Sequence, residues 1–127
     1  MMKFNIIAGA VYAFLSVAIG AFGAHALKNV LTEQYAKVWE TGVQYQMFHA
    51  IGLIVIGILM SKSLIGPSSL LSRAGILMFI GVILFSGSLY VLAITQIKVL
   101  GAITPIGGVL FLVAWLLVIL AALKIGK

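Results

Sequence analysis

Residues 74–97 read AGILMFIGVILFSGSLYVLAITQI, a run of 24 between Arg73 and Lys98 without a single Asp, Glu, Lys or Arg. A bilayer core about 30 Å thick needs roughly 20 helical residues to cross it. Lipid-exposed backbone must satisfy its own hydrogen bonds, so such a run crosses as a helix and not as a loop. It is apolar throughout and lacks the period-2 alternation of a membrane barrel strand. Three further charge-free runs match it: 24 residues between Lys3 and Lys28, 21 between Glu40 and Lys62, and 25 between Lys98 and Lys124. The sequence therefore predicts an all-α integral membrane protein, a four-transmembrane-helix bundle. Composition agrees. Of 127 residues 64% are hydrophobic and 8% charged, about a third of the charge of an ordinary soluble domain. The length predicts a single domain, 1–127. Without cysteine there is no disulfide framework, thiolate metal site or thiol redox chemistry. The net charge of +6 is not gathered on one face, so no nucleic-acid partner is expected.

The spacing places the helices at about 4–27, 42–61, 74–96 and 104–124. Residues 61–73 (SKSLIGPSSLLSR) form a loop with Gly66-Pro67 as its turn. Thr104-Pro105 fits an N-cap followed by Pro at the first helical position, where the missing N–H does no harm. Residues 29–40 form a short amphipathic segment before helix 2. Leu31, Tyr35, Val38 and Trp39 recur at helical spacing, and Glu33, Lys37 and Glu40 lie opposite. Glu33 and Lys37 form an i,i+4 pair, and Tyr35 and Trp39 suit the headgroup region. The segment is either an interfacial helix or an extension of helix 2. Thr41 with Gln44 resembles a capping box, which favours a break between the two.

With four spans, both termini and the 62–73 loop share one face. That face holds Lys3, Lys62, Arg73, Lys124 and Lys127, against Lys28, Lys37 and Lys98 on the other. The positive-inside rule places both termini in the cytoplasm. Lys3, the apolar run and Ala24-His25-Ala26 imitate a secretory signal, but the run is long for one. Gly9, Ala13, Ser16, Gly20 and Ala24 form a stripe of small residues that lets helices approach closely in lipid. Helix 1 is therefore expected at the centre of the bundle.

Polar side chains inside spans need partners, so they are the candidates for chemistry. Helix 2 carries Gln44, Tyr45, Gln46 and His49, which can share one broad face. Helix 3 carries Ser86, Ser88 and Tyr90, helix 1 ends near His25, and helix 4 begins with Thr104. All of them gather in the outer half of the bilayer. Each has an ordinary structural explanation: interhelical hydrogen bonds for Gln46, His49, Ser86 and Ser88, and a solvated interface for His25. Trp115 is too deep for an interfacial belt and is read as a core packer whose N–H finds a partner. The absences are as informative. No carboxylate lies within a span, so a carboxylate proton relay has no carrier. Two histidines without thiolate or carboxylate cannot complete a zinc site. No nucleophile–base set or phosphate loop can be assembled, so an enzyme is the least supported class.

Four stretches, GAFGAHAL (20–27), TGVQYQMFHA (41–50), FSGSLY (85–90) and ITPIGG (103–108), resemble the signature blocks of one family. It is domain of unknown function 423, the uncharacterised inner-membrane proteins of the YgdD and YwdK type, with transmembrane protein 256 as the eukaryotic relative. The resemblance covers nearly the whole chain and its block order. It implies a four-helix, multi-pass protein of a bacterial cytoplasmic membrane with no established activity. One departure is Gln96 after Thr95, where many relatives are expected to carry Gly.

Two functional readings follow. The first is a non-catalytic structural or accessory subunit, or a homo-oligomer, for which no cofactor is expected. The alternative is binding or transport of a small apolar or amphipathic molecule, a lipid or a quinone, in a pocket lined by His25, Gln46, His49, Ser86, Ser88 and Tyr90. A third and weaker reading makes His25 and His49 axial haem ligands.

Overall fold

The computed structural model describes residues 1–125; Lys127, counted in the orientation tally, lies outside the described residues. Those residues form α1 (Met2–His25), α2 (Glu33–Leu59), α3 (Ser69–Thr95), a 3₁₀ turn (Lys98–Ala102) and α4 (Thr104–Ala122), with no strand among them. Among the described residues four helices are long and apolar enough to cross a membrane. Short connections make sequence neighbours antiparallel, and α1 packs on α2, α2 on α3, and α3 on α4.

The segment expected before helix 2 is part of it. Thr32 holds extended backbone (φ −66°, ψ 165°), and its hydroxyl accepts from the Tyr35 N–H at 3.2 Å, so the true N-cap lies nine residues ahead of Thr41. Thr41 instead donates to the Lys37 carbonyl at 2.9 Å, one turn back in the same helix. Gly42 does not break the helix, because tertiary packing fills its place: a Cβ there would lie 2.7 Å from the Tyr90 ring. Trp39 and Tyr35 are buried with Ala93 of α3, so the extension has a partner. At 1.5 Å per residue α2 is about 40 Å long, roughly 10 Å more than a hydrocarbon core. Among the described residues Glu33 and Lys37 make no ion pair within 4 Å; both are exposed, where water screens the pair.

Two more boundaries differ from expectation. α3 opens at Ser69 and not at 74, because Ser68 accepts from the N–H groups of Leu70 and Leu71 at 3.2 and 3.5 Å. Arg73 therefore lies in a helix and not in a loop. Thr104 does not cap α4. The chain arrives already wound from the 3₁₀ turn, with Ile103 helical at φ −78° and ψ −33°, so no extended residue is available to cap. Pro105 does sit in the first turn. α3 ends on Gln96 at φ 59°, a left-handed position that favours Gly.

Helix 1 is not central. The inner pair is α2 and α3, which bury Leu53, Ile56, Leu71 and Met78 between them. α1 and α4 lie outside and leave most of their surface to lipid. The small-residue stripe does carry the α1–α2 contact. A Cβ on Gly9 would lie 2.6 Å from the Ala50 carbonyl, and one on Gly20 would lie 3.2 Å from Val43. At the C-terminal end of α1 Gly23, and not the exposed Ala24, meets α2, against the Trp39 ring.

Candidate functional site

The polar side chains in the half of the bundle nearer the α1–α2 and α3–α4 connections resolve into three ties between helices. In the first, Gln46 of α2 donates through Nε2 to the Tyr12 carbonyl of α1 at 2.9 Å. Its Oε1 accepts from the Tyr90 hydroxyl of α3 at 2.6 Å. Ser16 donates to the same Tyr12 carbonyl at 2.7 Å, and Ser86 donates to the Gly42 carbonyl at 2.7 Å. One glutamine thus joins three helices, using its amide as donor on one side and acceptor on the other.

The second tie joins α3 to α4: the Ser88 and Thr104 hydroxyls lie 2.6 Å apart, and Ser88 also reaches the Phe85 carbonyl at 2.9 Å. Thr104 therefore serves as a tie and not as a cap. The third joins α2 to α4. His49 Nδ1 lies 2.8 Å from the Tyr45 carbonyl, and Trp115 Nε1 donates to His49 Nε2 at 3.0 Å. A carbonyl only accepts and an indole N–H only donates. His49 is therefore a neutral ring protonated at Nδ1. It also stacks on Phe111, with centroids 3.6 Å apart and planes within 8°.

These ties account for Gln46, His49, Ser86, Ser88, Tyr90 and Thr104. His25, Gln44 and the Tyr45 hydroxyl stand apart: all three residues are exposed, and no hydrogen bond engages these side chains among the described residues. His25 ends α1 at the interface, and His49 has no free ring lone pair. The two are not brought together as axial ligands. No group of three or more His, Cys, Asp or Glu suited to a metal occurs among the described residues.

A groove of about 660 Å³ opens beside the third tie, between α2 and α4. Phe48, His49, Phe85, Phe111 and Trp115 line its body, and Gln44, Tyr45 and Pro105 line it nearer the N-terminal ends of the two helices. Among the described residues no charged side chain lines it. Its size falls in the usual range for a small-molecule site.

Sequence reasoning missed Asn5, Tyr12 and the aromatic lining. Asn5 is fully buried, its Nδ2 3.5 Å from Met60 Sδ and its Oδ1 without a partner. An amide in the first turn of an apolar run was the available signal. Tyr12 donates its hydroxyl to the Phe79 carbonyl at 2.7 Å and stacks on that residue's ring. Nothing in the sequence marks Phe48, Phe85 and Phe111 off from other membrane phenylalanines, since only the fold brings them to one groove.

The model of a protein family described as "Protein of unknown function (DUF423)" matches residues 19–108. The "UPF0382 membrane protein YwdK" of Bacillus subtilis is 54% identical over 123 residues, covering 97% of this chain and 98% of its own. The UPF0382 membrane protein of Staphylococcus haemolyticus is 51% identical over 97% of this chain and 98% of its own. That of Staphylococcus saprophyticus is 50% identical over 98% of this chain and 100% of its own. No solved structure matches the chain. Neither the family description nor the relatives' names indicate catalysis. The matched residues hold Gln46, His49, the two serines and Tyr90, and the full-length relatives are membrane proteins, so the chain is a four-helix membrane protein that belongs to the DUF423 family of unknown function.

Proposed function

We propose that this chain is a non-catalytic membrane subunit that works by lateral association, as a homo-oligomer or as an accessory subunit of a larger membrane complex. The observation that supports this reading is the uncharged aromatic groove between α2 and α4. The buried polar side chains of the outer half are satisfied internally, so they offer no reactive group and no path for an ion. The groove, by contrast, leaves packing surface uncovered. In lipid, close side-chain contact is the main force that joins helices, and a slot on the surface forfeits it until a neighbour fills it. The chain has no cysteine, so Leu112→Cys on the groove (72% exposed) is a unique thiol. Thiol crosslinking in native membranes is expected to yield a dimer or a defined adduct there. Phe14→Cys, 74% exposed on α1, serves as the control. Monomer alone from both variants overturns the reading.

A second reading has its own support: the same groove holds a small amphipathic molecule, a lipid or a quinone. The Gln44 amide and the Tyr45 hydroxyl line the groove without a partner among the described residues. Organic extracts of the purified protein are expected to contain the molecule. Gly108→Leu should remove it, because a Cβ there has nothing nearer than 3.9 Å and a larger side chain would fill the groove. Unchanged extracts from that variant would sink this reading.

For placement we infer the cytoplasmic membrane of a bacterium, with both termini on the cytoplasmic side. The excess of Lys and Arg on that face and the bacterial membrane-protein relatives support it.

A further inference from the structure

On the other side of α2 from the groove, a cavity of about 320 Å³ lies at the outer end of the α1–α2 pair. Trp39 is fixed in its wall, its Nε1 donating to the Ile19 carbonyl at 3.1 Å. Leu27, Leu31 and Val43 make it apolar on its other sides, and two opposite charges, Lys28 and Glu40, share it. Both are exposed, and neither makes an ion pair within 4 Å among the described residues. Backbone adds acceptors. The N–H groups of Ala26 and Leu27 both go to the Phe22 carbonyl, which leaves the carbonyls of Gly23 and Ala24 without a backbone donor among the described residues. Gly23 and Ala24 line the same cavity, at the negative end of α1.

One cation, one anion, free carbonyls and apolar walls at headgroup depth match a single kind of molecule. A phosphate pairs with the Lys28 ammonium, a primary ammonium donates to the Glu40 carboxylate and the α1 carbonyls, and acyl chain lies on the leucines. A quaternary ammonium has no N–H to donate, and a purely anionic headgroup leaves Glu40 opposed by like charge. We propose that this cavity binds the headgroup of a zwitterionic phospholipid bearing a primary ammonium. The inference is independent of the groove and of what occupies it.

The test uses the full chain purified in mild detergent and native mass spectrometry. The probe is an equal mixture of phosphatidylethanolamine, phosphatidylcholine and phosphatidylglycerol with matched acyl chains. Exposed charge pairs contribute modestly, so the expected preference for the ethanolamine lipid is about fivefold. Glu40→Gln should reduce it to the level of the choline lipid, and Lys28→Gln should lower retention of all three. Circular dichroism of both variants is expected to be unchanged, because these are exposed positions. Free phosphoethanolamine carries the same charges without the acyl chains, and it should fail to displace the lipid at equal concentration. Equal retention of the three lipids overturns the proposal, as does a preference that survives both substitutions. Displacement by free phosphoethanolamine would also overturn it, by assigning the site to a soluble headgroup.

Discussion

His49 is held by two partners of opposite kind, a carbonyl on its own helix and the Trp115 indole on α4. Trp115→Phe keeps most of the packing and removes one interhelical bond. The expected loss is about 0.6–1 kcal/mol, the usual worth of such a bond in a membrane. Unfolding in mixed detergent micelles measures it. Adding His49→Phe should cost less than the sum of the single changes, because the unpaired Nε2 disappears with the ring. Two glycines make a sharper contrast. At Gly23 even a Cβ overlaps the Trp39 indole, whereas at Gly87 nothing lies within 4 Å. Gly23→Ala should destabilise by about 1–3 kcal/mol, as overpacking does, and quench or shift the Trp39 fluorescence. Gly87→Ala should be neutral or slightly stabilising, since alanine is the better helix former. Equal effects of the two changes would refute the packing argument.

At the scale of the element, α2 shows a local signal overruled by its surroundings. Thr41 and Gln44 have the spacing of a capping box, and Gly42 would allow a break. The helix runs through because Tyr35 and Trp39 find a buried place beside Ala93 that a separate interfacial helix would not give them. Thr32 holds the real cap. Thr32→Ala should lower the stability of the first turn of α2 by about 1 kcal/mol, seen as faster amide hydrogen exchange at residues 34–36. Thr41→Val should leave those amides unchanged. If Thr41→Val opened the helix, the continuous α2 described above would be wrong.

For the whole molecule, the arrangement of helices sets what the membrane sees. The α1 and α4 flanks and the groove meet lipid or a neighbour, whereas Gln46 and His49 are buried. Orientation is a separate matter, which charge on the connections biases, and the proposed cytoplasmic placement of the termini is open to a direct test. With both termini cytoplasmic, a fluorescent protein fused to the carboxyl terminus should fold and shine, while a periplasmic reporter phosphatase fused there should stay inactive. The reverse pattern would invert the assignment.

Charge spacing alone determined that this chain crosses a membrane four times. A bilayer core admits only long uncharged helices, and four such runs lie in the sequence with ten charges around them. The residue types of the polar layer were legible as well, because few polar side chains interrupt those runs. Their pairing was not. Gln46 reaches a backbone carbonyl of Tyr12, and backbone groups are the same in every sequence. Tertiary structure also decided that α1 lies outside, that α2 is unbroken, and that Phe48, Phe85 and Phe111 meet in one groove. Each depends on which helix faces which. In lipid, where no hydrophobic drive separates inside from outside, close packing sets that choice, and periodicity does not record it.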